Sequence, residues 1–200
     1  MLTLITITLA YLMGSVCSAI IVCKLFQLPD PRLEGSKNPG ATNILRIAGG
    51  KYAAMVLLID LLKGTIPVLI SRSLGAESLL LGCVGLAAVI GHIYPLFFNF
   101  KGGKGVATAL GVLIGLNPEL GCLVILTWLM VAFISRFSSL ASIISLTFSP
   151  IYVIFFPNLS AGFLPLLIMT ILVLYQHRDN FSRLFKKTES KIDFKFKRNK

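Results

Sequence analysis

Seven apolar stretches follow one another along this chain, at residues 2–23, 53–70, 79–98, 106–116, 120–134, 140–156 and 161–175. With 200 residues, 56% of them hydrophobic and only 14% charged, and a mean hydropathy of +0.85, one water-soluble core could not hide that much apolar surface. An α-helix needs about 20 residues to cross the roughly 30 Å hydrocarbon layer. The first three stretches meet that length easily, the later ones are short, and the fourth is too short alone. For the fourth there are two readings: it begins inside the glycine-rich segment before it, or that segment dips below the headgroups and lines a wet cavity, the only place where irregular backbone is tolerated at that depth. The second is preferred. The expected fold is an all-α integral membrane protein with seven transmembrane helices, some of them short.

The basic residues give the orientation, because lysine and arginine gather in cytoplasmic loops. With seven spans, Lys24, Arg32, Lys37, Arg46, Lys51, Lys101, Lys104, Arg136 and every basic residue from Arg178 onward share one side, and only Arg72 falls on the other. The N-terminus is therefore expected outside and the C-terminus in the cytoplasm. Were the fourth and fifth stretches one bent helix, the tail would change sides and the bias would break. Residues 1–200 read as a single polytopic domain whose segment 178–200 is a basic cytoplasmic tail. Most of the net charge of +11 comes from that tail, which suits anionic lipid headgroups, with Ile192, Phe194 and Phe196 dipping into the interface. No nucleic-acid partner is expected. The first 23 residues lack a basic leader and a small-residue cleavage site, so they read as a retained span. Cys17, Cys23, Cys83 and Cys122 lie in apolar stretches without CxxC spacing, which argues against a disulfide framework or a metal site.

The polar residues gather in three patches, all on the expected cytoplasmic side. The first, GSKNPGATNILR at 35–46, offers Ser36, Asn38, Thr42 and Asn43 as hydrogen-bonding groups and Arg46 as a planar fork suited to phosphate. Its second half reads as a short interfacial helix with Ile44, Leu45 and Ile47 toward lipid; the alternative is an ordinary polar loop. The second patch runs from His92 through FKGGKG. Gly102, Gly103 and Gly105 can turn successive N–H groups toward one point, with Lys101 and Lys104 adding charge at the N-terminus of the following helix. A flexible turn with interfacial lysines is the plainer reading of that loop, and a packing hydrogen bond the plainer reading of His92. The third, HRDNFSRLFKKTE at 177–189, brings His177, Asn180 and Glu189 toward the same surface, with Arg178 and Arg183 adding charge. Inside the second stretch, Asp60 and Lys63 share a helix face and are expected to pair in support of the cavity.

Several chemistries are excluded. Phe97 and Ser182 stand where an HxxxxD acyltransferase box would need aspartate. GGKG is not a Walker A loop, since Gly105 replaces the required hydroxyl residue. Eight acidic residues without a cluster do not build a two-metal phosphotransfer site. What survives is a metal-free, positively charged phosphate pocket beside the bilayer.

Taken together, GSKNPGATNILR, GHIYPLFFNFKGGKGVAT and HRDNFSRLFKKTE closely resemble the three cytoplasmic motifs of the acyl-phosphate-dependent glycerol-3-phosphate acyltransferases, the PlsY family of bacterial inner-membrane enzymes. The resemblance covers essentially the whole chain. It implies acyl transfer from acyl phosphate to the sn-1 hydroxyl of glycerol 3-phosphate, giving lysophosphatidic acid and phosphate, without a cofactor. It also implies a multi-pass protein of the inner membrane with its site facing the cytoplasm, in contact with membrane lipid and with the soluble enzyme that makes acyl phosphate. On that reading Ser36, Asn38, Thr42, Asn43, Arg46, Lys101, Gly102, Gly103 and Gly105 hold the substrate phosphates. His177, Asn180 and Lys104 are catalytic, and His92, Thr108 and Glu189 support them. An acyl phosphate is already activated, so no Ser or Cys nucleophile is needed. The base is either His177 or the substrate's own phosphate, with the resemblance favouring the phosphate. The third motif departs from the family pattern at Phe181 and Lys187, which affects the path of the tail. Two other classes stay open: a transporter of a phosphorylated anion, which also uses short spans ending at a charged cavity, and a non-enzymatic scaffold whose tail binds lipid.

Overall fold

The computed structural model describes residues 1–192. Its α-helices are α1 (Leu2–Gly14), α2 (Ser18–Leu25), α3 (Ala41–Ala48), α4 (Gly50–Ser73), α5 (Ser78–Ile93), α6 (Val106–Leu116), α7 (Pro118–Ser135), α8 (Ser138–Val153), α9 (Phe163–Gln176) and α10 (Arg178–Phe185), with 3-10 turns at Leu96–Phe98 and Pro157–Gly162. No strand occurs among the described residues. Each apolar stretch of the sequence carries a helix. Four spans, Gly50–Ser73, Ser78–Phe98, Pro118–Ser135 and Pro157–Gln176, are long and apolar enough to cross a membrane, and α1 with α2 makes a fifth when the bent pair counts as one. The remaining two, α6 and α8, are apolar but shorter. At 1.5 Å per residue the 11 residues of α6 reach only about 16 Å, roughly half the hydrocarbon thickness.

The first stretch is not the single straight span its length suggests. It bends by 43° between α1 and α2. Ser15 donates to the Tyr11 carbonyl at 2.8 Å, and the Val16 carbonyl freed by the break accepts from Lys63 Nζ at 2.7 Å. The fourth and fifth stretches are separate helices. Asn117 caps α7 by accepting from the Leu120 amide at 2.7 Å, with Pro118 opening the helix. A Cβ on Gly121 would lie 2.8 Å from the Ile114 Cα, a proximity that residues seven apart in one helix never reach, so the chain folds back there.

Small residues set the helix spacing, as they do where helices pack without a hydrophobic driving force between them. A side chain at Gly14 would run into the Ala88 carbonyl and one at Gly91 into the Tyr11 carbonyl, so α1 and α5 touch backbone to backbone. Gly64 against the Thr108 carbonyl and Gly111 against the Leu61 carbonyl do the same for α4 and α6. The core between them holds Val84, Ala88, Val89, Ala109, Val112, Leu113, Leu146, Leu166, Met169 and Val173. By contrast α7 turns Leu126, Leu129, Met130, Phe133 and Ile134 outward, the surface a lipid-facing helix presents. The four cysteines are free.

Two surface expectations are corrected. The apolar face of α3 packs on protein: Ile44 is fully buried with Ala19, Val22, Cys23, Ala53 and Val56, and Leu45 and Ile47 cover the same cluster. Gly49, at φ +90, turns the chain sharply between α3 and α4, which lays α3 back on its neighbour. Ile192 does not dip into the interface but is buried against Ala132 and Ala141, its amide donating to the Arg136 carbonyl at 2.7 Å. Phe194 and Phe196 lie outside the described residues.

Candidate phosphate-binding active site

Beyond α5 the chain makes a tight excursion through Pro95 and the 3-10 turn, with Asn99 and Phe100 both at positive φ, and then comes straight back. The Gly102 amide donates to the Ile93 carbonyl and the Gly103 amide to the His92 carbonyl, each at 3.2 Å. A Cβ at Gly102 would collide with the His92 carbonyl, and one at Gly103 with the His92 ring. These two glycines are therefore needed for close approach to the end of α5. Their amides, expected to point at an anion, are already engaged there. Gly105 is different: at φ +88 it turns the chain into α6, whose first amides, from Val106 to Thr108, have no carbonyl within the helix to bond and carry the positive end of its dipole.

Lys104 sits between these features. Its Nζ donates to Asn180 Oδ1. Burial, reinforced by the charges of Arg183 and Arg46, pushes the ammonium pKa down to about 8. Asn180, nearly fully buried, passes the contact on through Nδ2 to Glu189 Oε1 at 2.7 Å. The same oxygen accepts from Ser139 at 2.7 Å, and Oε2 accepts from Arg183 Nε at 2.7 Å. Burial alone would raise the Glu189 carboxyl, but the hydrogen bonds from Ser139, Arg183 and Asn180 outweigh it and hold the group below the usual carboxylate range. His177, at the junction of α9 and α10 and 2% exposed, donates from Nδ1 to the Val173 carbonyl at 2.8 Å. That bond leaves the lone pair on Nε2. Burial and the nearby Lys104 push its pKa down to about 4, so the ring is neutral at physiological pH.

The first patch joins the other two through the start of α8. Thr42 Oγ1 lies 3.1 Å from Ser138 Oγ, next to the Ser139 that holds Glu189, and Arg46 Nη2 reaches the Ser190 carbonyl at 3.4 Å. Ser36 is exposed and Asn38 half-buried at the turn before α3, while Lys101 is exposed at the end of the excursion. Asn43 proves to be scaffold: buried, its Oδ1 accepts from the Ser36 amide at 2.8 Å, and its Nδ2 donates to the carbonyls of Pro31 and Glu34 at 2.9 and 3.0 Å. Its amide is committed to shaping the loop, which removes it from the phosphate ligands the sequence suggested. Arg178 packs on the Tyr175 ring and is not part of the cluster. Ser138 and Ser139 were not legible as site residues. They stand just before an apolar stretch, at the start of α8, and the one available signal was a pair of hydroxyls shortly after Arg136.

His92 and Thr108 lie beneath the loop, Nδ1 to Oγ1 at 3.1 Å, and Asp60 pairs with Lys63 at 2.9 Å as expected. Among the described residues no three His, Cys, Asp or Glu side chains stand close enough to hold a metal ion. A separate cleft of about 540 Å³, lined by Arg72, Ser78, Asn117, Asn158 and apolar neighbours, opens at the other end of α5, a helix length from Lys104.

Fold and site together define a bundle of apolar helices, several of them long enough to cross a membrane, that gathers cations and hydroxyls at one end. The chain belongs to the glycerol-3-phosphate acyltransferase family, whose model matches residues 4–187. It is 53% identical over 195 residues to a glycerol-3-phosphate acyltransferase of Colwellia psychrerythraea, covering 98% of each chain. It is 55% identical over 190 residues to one from Legionella pneumophila strain Corby, covering 94% of this chain and 68% of that one. Its fold is similar to the crystal structure of PlsY, an integral membrane glycerol 3-phosphate acyltransferase, in the glycerol 3-phosphate form, with a TM-score of 0.91 at 39% identity and 96% of each chain covered. The lysophosphatidic acid form of the same protein gives a TM-score of 0.88 at 38% identity, over 96% of this chain and 95% of that one.

Proposed function

We propose that this protein transfers a fatty acyl group from acyl phosphate to the sn-1 hydroxyl of glycerol 3-phosphate, at the cytoplasmic face of a bacterial inner membrane. The observation that carries this reading is the run of polar contacts from Thr42 to Ser138, and from its chain neighbour Ser139 to Glu189, Asn180 and Lys104, with Arg46 joining at the carbonyl of Ser190. It links three motifs far apart in sequence beside the N-terminus of α6. The glycerol 3-phosphate and lysophosphatidic acid forms of the solved relative support the acceptor and the product. The one-sided distribution of basic residues supports the orientation.

In this scheme Lys104, Arg46, Ser36, Thr42 and the amides from Gly105 onward bind the two phosphates, and Lys101 and Asn38 line the approach. Gly102 and Gly103 shape the loop. The glycerol oxygen attacks the acyl carbonyl carbon, the bond from that carbon to the phosphate oxygen breaks, and phosphate departs. Fixed donors around Lys104 offset the charge that develops on the leaving group, and holding both substrates in line supplies much of the rest. The hydroxyl proton ends on the departing phosphate, because an imidazole held near 4 is the weaker base. His177 serves as acceptor through Nε2 and orients the hydroxyl, with Asn180 keeping Lys104 in place. Neither metal nor cofactor enters the scheme. The acyl chain lies in lipid, and the family resemblance implies a soluble partner enzyme that supplies acyl phosphate at this surface.

Purified protein given a long-chain acyl phosphate should release phosphate only when glycerol 3-phosphate is present, in a one-to-one ratio with lysophosphatidic acid. Release without the acceptor would make it a hydrolase. Vesicle uptake of glycerol 3-phosphate without acylation would make it a carrier, and transfer from an acyl thioester alone would change the donor.

A further inference from the structure

Directly under the glycine loop lies a buried polar network that the reaction scheme does not use. Ser18 Oγ donates to Asp60 Oδ1 at 2.7 Å, and Lys63 Nζ pairs with the same oxygen at 2.9 Å. His92 Nδ1 stands 3.6 Å from it and 3.1 Å from Thr108 Oγ1. All five side chains are buried, and they come from four different helices, α2, α4, α5 and α6. Charges are costly to enclose in a membrane protein, and apolar residues of similar volume often replace a buried ion pair without loss of stability. Packing alone is therefore a weak reason to keep this one.

Its links converge on the loop. The His92 carbonyl holds the Gly103 amide, the His92 ring occupies the space a side chain at Gly103 would need, and Thr108 is the third residue of α6, the helix the loop opens into. Rotation of the ring would therefore shift Gly103 and, next to it, Lys104. Asp60 and Thr108 face one edge of that ring and resist such rotation. Lys63 offsets the Asp60 charge while also satisfying the carbonyl at the α1–α2 break.

We infer that Asp60, His92 and Thr108, with Ser18 and Lys63 balancing the carboxylate, are positioning residues that fix the Gly102–Lys104 loop against α5. The consequence for turnover rests on the function proposed above; the consequence for the loop does not. Thr108→Val keeps the shape and removes the hydroxyl, whereas Thr108→Ser keeps the hydroxyl. Hydrogen exchange of the 101–108 segment, read by mass spectrometry, should be about tenfold faster in Thr108→Val and unchanged in Thr108→Ser. The KM for glycerol 3-phosphate should rise in Thr108→Val by more than kcat falls. Gly103→Ala should lose activity through its clash with the His92 ring, and adding His92→Ala should restore part of it. Unchanged exchange in Thr108→Val, or a double variant no better than Gly103→Ala, would overturn the inference. Faster loop exchange in a protein that makes no lysophosphatidic acid would uphold the network and overturn the reaction assigned to the site.

Discussion

Lys104 shows how one position acquires its chemistry. Burial first, then the charges of Arg183 and Arg46, push its pKa down to about 8, so the free site carries the ammonium below that pH and loses it above. A depressed lysine binds phosphate well at low pH and poorly at high pH. The KM for glycerol 3-phosphate is therefore expected to climb as pH rises through about 8. In Lys104→Arg, whose guanidinium stays charged past pH 12, that climb should vanish even if turnover suffers from the altered shape. A KM profile identical in both proteins would remove Lys104 from phosphate binding. At this scale the sequence was a mixed guide. Lys104, Asn180 and Glu189 were identifiable as polar residues beside apolar stretches, and the structure joins them. Residue type alone could not separate Asn43, whose amide is consumed by the loop it sits in, from Asn180, whose amide faces the cluster. Nor could it tell that the Gly102 and Gly103 amides bond to the end of α5.

Among the elements, α6 decides the depth of the site. Eleven residues are too few to span alone, and the helix is accepted because protein covers it: eight of its residues are buried, and Gly111 rests on the Leu61 carbonyl of α4. Gly111→Leu should force α4 and α6 apart at a cost of about 3 kcal/mol or more, visible as a lower melting temperature in detergent. The same substitution at Gly75, where nothing lies near a Cβ, meets no packing obstacle and serves as a comparison strained only by its positive φ. Equal melting temperatures for the two variants would contradict the close contact. The sequence located every apolar helix, because a long apolar stretch has few other places to go. It did not show the bend between α1 and α2, where Lys63 of α4 satisfies the freed Val16 carbonyl. The inward-facing α3 was hidden for a similar reason: an amphipathic helix pattern is the same whether lipid or protein covers it.

For the molecule as a whole, the proposed orientation puts the three motifs on the cytoplasmic side and Arg72 outside. In intact cells, an impermeant maleimide should label Glu77→Cys and spare Ser36→Cys in an otherwise cysteine-free protein, and both should react once the membrane is opened. The reverse pattern would put the site outside. At this scale the tail also closes the site, since Glu189 brings Ser139, Asn180 and Arg183 together while Ile192 anchors behind it between α7 and α8. What the sequence determined by itself was the solvent: apolar length dictates a helical membrane bundle, and the lysines, arginines and glycines gathered at its edge suit the proposed anion site. Which groups remain available to that anion was decided only in the folded chain. A hydrogen bond is a contact between residues 50 or 76 positions apart as readily as neighbours, so the state of each donor depends on where the helices bring the others.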